Sequence, residues 1–160
     1  MKKFLCVFLA LFTLTLTGCG GKEVYSGEGY EFSYDTGKWK QPIKSGGIVT
    51  VYRKSFDETR FSVFRYTPDE NVSPSEMIES AKENCAAIGS VWDKGEVIDI
   101  DGMKWVRTEY HDEISEYKCV DFSYYNYPYV YALCFVSDTD SYDKCLKEFE
   151  EVFDSFVITE

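Results

Sequence analysis

The chain has 160 residues, with 17 basic and 28 acidic side chains and a formal net charge of −11 at pH 7. That balance argues against nucleic acid, whose phosphates need Lys/Arg patches, and against adsorption onto an anionic membrane surface. A basic partner, a cation or plain solubility remain as uses for the acidity, and the length suits one domain with a real core.

Lys2 and Lys3 open the chain, an apolar run follows from Phe4 to Leu16, and Leu16-Thr17-Gly18-Cys19 comes directly after it. A run this short cannot span a bilayer, which takes roughly 20 residues, so residues 1–18 read as a cleaved export signal. The tetrad resembles the bacterial lipobox: an aliphatic residue, two small ones, then a cysteine that is acylated and becomes the mature N-terminus. Cleavage between Gly18 and Cys19 removes Lys2, Lys3 and Cys6 and leaves the mature chain at −13. Two acyl chains on Cys19, at about 0.8 kcal/mol per buried methylene, anchor a protein stably where one chain is marginal. The expectation is an extracytoplasmic protein held on the bacterial cell membrane by this lipid. Residues 19–29, rich in glycine and without periodicity, read as a flexible tether. Residues 30–160 read as the single folded domain.

Strands declare themselves by β-branched and aromatic alternation. YEFSYD (residues 30–35) comes first, then GGIVTVYRK and RFSVFRYT, joined by a polar turn near Asp57 and Glu58. The next segment, SPSEMIESAKENCAAIG, is a helix: Ser73 is its N-cap, Pro74 its first residue and Glu76 completes a capping box. Met77, Ala81, Cys85 and Ile88 form its apolar stripe, and Gly89 suits its end. VIDIDGMKWVRTEY is a hairpin, since Asp101-Gly102 suits a two-residue type I′ turn. CVDFSYYNYPYVYALC forms another. A second helix over roughly residues 141–154 buries Cys145, Leu146, Phe149, Val152 and Phe153, and SFVIT closes the chain as a short strand.

The tyrosine-rich hairpin permits a register argument. Pro128 has no N–H to give, which favours a four-residue loop from Tyr125 to Pro128 and sets Cys119 directly opposite Cys134. A cis Tyr127-Pro128 bond would instead shift the register by two and separate them. In the favoured register Val120, Phe122, Tyr124, Tyr129, Tyr131, Leu133 and Phe135 share one face, while Cys119, Asp121, Ser123, Val130, Ala132 and Cys134 share the other. Tyr125 and Tyr127 at the turn are then left as a candidate interaction tip. The favoured disulfides are Cys119–Cys134 and Cys85–Cys145, with four small buried thiols as the alternative.

Strands, helix, strands, helix indicate α+β with a mainly antiparallel sheet. EFSYDTGKW near the start, the early helix, the IDG hairpin, the aromatic penultimate hairpin and the ending FEEVFDSFVI resemble the PsbP-like family, which includes small bacterial lipoproteins; the resemblance implies its α/β/α sandwich, an antiparallel sheet of about six strands flanked by helices. The resemblance implies binding to other proteins, as in plant photosystem II or the GTPase Ran in a nuclear-transport relative. It carries no catalytic motif.

Catalytic and metal readings find little support in the residues. His111, the single histidine, sits in EYHDE without a serine motif to serve. Asp138, Asp140 and Asp143 begin like a calcium loop, but an EF-hand needs Gly at position six and Glu at twelve, where this chain has Asp143 and Phe149. Asp99/Asp101 and Asp112/Glu113 are paired carboxylates of the kind a polymer hydrolase uses, yet the first pair belongs to a turn. No cofactor motif is present. The expected function is a membrane-tethered, non-enzymatic module binding an envelope or surface protein. The alternatives are an envelope-polymer hydrolase, or a divalent-cation or small-ligand binder.

Overall fold

The computed structural model describes residues 21–159, apart from 56 and 57. The expected export signal, with Gly18 and Cys19, lies outside the described residues. The tether expectation is corrected in part. Lys22–Ser26 is strand β1 and pairs antiparallel with β2 (Tyr30–Asp35). Tyr25 stacks on Phe32 with ring centroids 5.2 Å apart, so the segment gains an aromatic contact that its flanking glycines concealed. The domain therefore starts some eight residues before the expected boundary.

The main sheet has seven strands rather than about six. β3 (Ile43–Ser45), β4 (Ile48–Tyr52) and β5 (Arg60–Tyr66) lead into the helix α1 (Pro74–Ala87). β6 (Val91–Ile100), β7 (Met103–Asp112), β8 (Tyr117–Asn126) and β9 (Tyr129–Asp138) follow, then the helix α2 (Tyr142–Phe153) and β10 (Val157–Ile158). The spatial order is β3-β4-β5-β9-β8-β7-β6, antiparallel throughout, and β1-β2-β10 form a separate three-stranded sheet. The extra strand β3 follows from Gly46 and Gly47, whose φ values of 57° and 84° suit the type I′ geometry that folds Ile43–Ser45 back on β4. Asp101 and Gly102 take the same left-handed pair, at 53° and 80°, as expected for the β6–β7 hairpin.

The two helices cover opposite faces of the main sheet. Along β8 and β9, Val120, Phe122, Tyr131, Leu133 and Phe135 point toward α2 and are fully or nearly fully buried, with β2 and Trp39 completing the core. Phe149 sits at its centre, with ring centroids 5.1 Å from Phe135, 5.7 Å from Phe61 and 6.1 Å from Phe122. Tyr142, Cys145, Val152 and Phe153 bury the rest of the α2 stripe. One ion pair ties α2 to the end of β4: Arg53 Nε and Nη2 donate to Glu148 at 2.8 and 2.9 Å, with both side chains largely buried. This forked pairing satisfies a guanidinium that would otherwise be costly to bury.

Over the other face lies α1. Its start matches the capping expectation in full: Ser73 Oγ accepts from the Glu76 N–H at 3.3 Å and Glu76 Oε2 accepts from the Ser73 N–H at 2.7 Å. The expected apolar stripe is only partly used. Cys85 is buried, Met77 and Ala81 are half-buried, and Ile88 is 70% exposed. At one edge α1 closes tightly because β6 carries Gly95, where an added Cβ would stand 2.6 Å from Trp92 and 2.9 Å from Ile78. The helix lies over β6, β7 and the near side of β8, and leaves the outer face of β9 and β5 uncovered.

Candidate functional site

The uncovered strip is a cleft of about 250 Å³ between α1 and the main sheet. Its walls are Phe64 and Tyr66 from β5 and Val72, Met77 and Ala81 from the α1 side. Its floor is the face that sequence alternation assigns to small residues: Ser123, Ala132 and Cys134, with Asp121 among them. Short side chains under a helix that stands off leave the space empty.

Asp121 is the one acid on this floor. Its residue as a whole keeps some exposure because it lines the cleft, yet Oδ1 is buried and has no hydrogen-bond partner. Tyr110 Oη donates to Oδ2 across a long 3.3 Å, and Cys134 stands opposite Asp121 on β9. Burial pushes the Asp121 carboxyl up to about 6, and the neighbouring Cys134 and Tyr110 side chains offset only part of that. Its negative charge in turn helps burial hold the Tyr110 phenol and the Cys134 thiol protonated. An under-paired acid lining the floor of an apolar cleft is a candidate counter-charge for a ligand.

The cysteine pairing is corrected. The four cysteines among the described residues, Cys85, Cys119, Cys134 and Cys145, are free thiols. Tyr127-Pro128 is cis, the turn has two residues, and the register places Asp121 opposite Cys134 and Cys119 opposite Val136. Cys119 and Cys134 therefore share a face but stand two residues out of step. Cys85 and Cys145 are on α1 and α2, with the main sheet between them, so they cannot meet. The face assignment of the tyrosines holds, because a shift of two preserves it.

The candidate tip is divided. Tyr127 is 77% exposed at the turn. Tyr125 is half-buried on the α1 face, and its Oη donates to Asn71 Oδ1 at 2.6 Å, so it braces the loop before α1.

The remaining acids are explained by local backbone. Asp138 Oδ1 accepts from the Ser141 N–H at 2.8 Å at the start of α2, and Asp143 lies in its first turn, where a carboxylate suits the helix dipole. Asp140 falls in the preceding turn. Asp112 Oδ1 accepts from the N–H groups of Ile114 and Ser115, and those bonds hold its carboxyl below the usual range. Glu113 follows it in that turn. Asp99 Oδ1 accepts from Gly102 N–H at 2.9 Å, inside the turn that Asp101 shares. Among the described residues no group of three or more His, Cys, Asp or Glu side chains could hold a metal ion. His111 Nδ1 lies 2.8 Å from Asp93 on the rim of β7. Cys119, the nearest thiol in sequence space across β8, projects on the opposite face and is pushed up to about 12 by burial, so it is not a thiolate for His111 to serve.

No family model matches the chain, and no curated protein matches it. Solved structures do. Cyanobacterial PsbP (CyanoP) from Synechocystis sp. PCC 6803 is similar at a TM-score of 0.66 with 19% identity, over 92% of this chain and 98% of that one. A protein from Bacteroides thetaiotaomicron VPI-5482 is similar at 0.59 with 15% identity, over 89% of this chain, which spans half of the Bacteroides chain. A protein of unknown function from Pseudomonas aeruginosa is similar at 0.54 with 14% identity, over 82% of this chain and 95% of that one. A large antiparallel sheet with α1 on one face and α2 on the other, near-complete overlap with CyanoP and the order of elements agree: the chain has the PsbP-like fold.

Proposed function

We propose that the protein is a lipid-anchored extracytoplasmic binding module without catalytic activity, and that it binds through the cleft beneath α1 rather than through the hairpin tip. The observation that carries this reading is Asp121, an acid with a single long hydrogen bond that lines the floor of an apolar cleft. A buried acceptor left idle costs about 1–3 kcal/mol, and a cation held against the same carboxylate offsets that cost. The binding sites of small ligands combine apolar walls with a few placed polar groups in this way. Tyr125 is already engaged by Asn71, which leaves Tyr127 alone as an anchor at the tip. The lipobox-like tetrad supports tethering at Cys19, and the acidic mature surface supports partners and ligands of positive charge.

Two measurements test the two halves. Cys19→Ser is expected to move the protein from the membrane fraction to the soluble one, with loss of the acyl mass from the mature N-terminus; continued membrane retention would remove the anchor. For the cleft, amide spectra of the full-length chain in detergent are recorded against apolar fragments of positive, negative and zero charge. Shifts are expected along α1, β8 and β9. Shifts confined to the turn around Tyr127 would return the site to the tip.

A further inference from the structure

We infer that the cleft takes a small organic ammonium ion, a primary or secondary amine on a compact apolar body, with Asp121 as its counter-charge. The inference rests on the cleft reading above and adds the chemistry of the ligand.

Size sets the body. An apolar cavity of about 150 Å³ holds benzene, so 250 Å³ suits one ring with a short arm. The walls that such a body would meet are Phe64, Val72, Met77, Ala81 and Ala132, all apolar.

Charge sets the head. Among the described residues no Lys, Arg or His lines the cleft, and each titratable group lining it beside Asp121 is neutral or otherwise engaged. Tyr110 from β7 and Cys134 from β9 are held protonated by burial. Cys119 beside Asp121 on β8 is likewise a thiol, and so is Cys85 from α1, which donates to the Ser90 carbonyl at 3.4 Å. Tyr66 from β5 is a phenol raised by burial. Glu76 at the α1 mouth is committed to the capping box with Ser73. Arg60 of β5 shares this face, but its charge reaches Cys119 and its guanidinium donates to the Glu58 carbonyl at 3.3 Å. No cation pairs with the Asp121 carboxylate among the described residues, and a carboxylate buried alone is strongly unfavourable.

Geometry narrows the cation further. A guanidinium fork needs both carboxylate oxygens open, and Asp121 Oδ1 is buried while Oδ2 accepts from Tyr110. A single-point ammonium needs only the part of Asp121 that lines the cleft. A divalent cation takes six or more oxygen ligands, and among the described residues no group of three or more His, Cys, Asp or Glu side chains could hold one here.

The test is calorimetry on the full-length chain in detergent, with 2-phenylethylammonium as probe and 2-phenylethanol and 3-phenylpropionate as its neutral and anionic counterparts. At pH 7.5 the amine is expected to bind at least tenfold more tightly than either counterpart. Its binding weakens about tenfold by pH 5, as Asp121 becomes protonated and the competent fraction falls. Asp121→Asn abolishes the preference for the amine. Ala81→Phe fills the cleft without touching Asp121 and abolishes binding of the amine. Equal binding of amine and alcohol, indifferent to Asp121→Asn, overturns the ammonium assignment while leaving an apolar cleft site. Amine binding that survives Ala81→Phe places the cation elsewhere on the acidic surface and also overturns it, as does failure of the amine to bind at all.

Discussion

Asp121→Asn is expected to stabilise the unliganded protein at pH 8 by up to about 3 kcal/mol, roughly 6–12 °C in unfolding midpoint, and to leave it nearly unchanged at pH 4. The sign follows from the direction of the shift. Asp121 is pushed up to about 6 in the folded chain from an ordinary 3.8, so the folded state binds the proton more tightly than the unfolded one. Stability therefore falls as pH rises through the interval from about 4 to 6, and the full cost is present above it. Asparagine keeps the shape and never takes the charge, so it escapes that cost where the carboxylate is ionised. Thermal unfolding of both proteins across pH 4 to 8 reads the difference. A constant offset across that range would mean that the carboxylate is solvated or paired in the folded chain.

Such a result has a functional meaning. An acid that lowers stability at neutral pH, at a position where asparagine would fit, is characteristic of a site held open for something else. A saturating ammonium ligand would reverse the order of the two proteins, because only the wild type gains its counter-ion.

Phe149→Ala is expected to cost about 3–5 kcal/mol, a large part of the 5–15 kcal/mol that holds a typical domain together. Phe149 is fully buried and touches the main sheet through Phe61, Phe122 and Phe135, so its loss leaves a cavity bounded by three rings from three different strands. Those rings sit on a rigid sheet and cannot collapse into the gap, which places the cost toward the upper part of the range. Denaturant unfolding measures it. A change below about 1.5 kcal/mol, the size of an Ile→Val trim, would mean that α2 is not seated on this face. Because the cleft lies on the opposite side of the sheet, the variant that remains folded should keep its amine binding.

The contrast between the two helices also shows which parts of the molecule can be read without coordinates. The α2 stripe recurs at helical spacing and is buried throughout, so periodicity alone locates its face. In α1 the same periodicity names Met77, Ala81, Cys85 and Ile88, yet only Cys85 is buried. Stripe and capping box identify a helix, but not the distance at which it packs. That distance is set by Gly95 on β6, the strand that follows α1, and by the small floor of β8 and β9. The sheet faces are legible because alternation survives a register shift of two. The register itself is not, since one proline permits two turns and the structure holds the cis one. Strands β1 and β3 escape notice because both are short and mostly exposed, although Gly46-Gly47 is a hairpin signal in its own right.

The cleft was the hardest feature to foresee, being space between elements rather than a motif. Asp121 alternates like an outward-facing polar residue of a half-exposed hairpin. Its floor mates Ser123, Ala132 and Cys134 are the available clue: a strip of small residues with a single acid in it leaves room beneath any helix that crosses it.

The most direct test of the central claim is the carboxyl carbon titration of Asp121 by NMR, with and without saturating 2-phenylethylammonium. The unliganded protein should titrate near 6, and the bound cation should draw that midpoint down toward the ordinary carboxylate range, because it binds only the ionised form. A midpoint already near 3.8 without the amine, or one that the amine does not move, would contradict the assignment of Asp121 as the binding acid of this cleft.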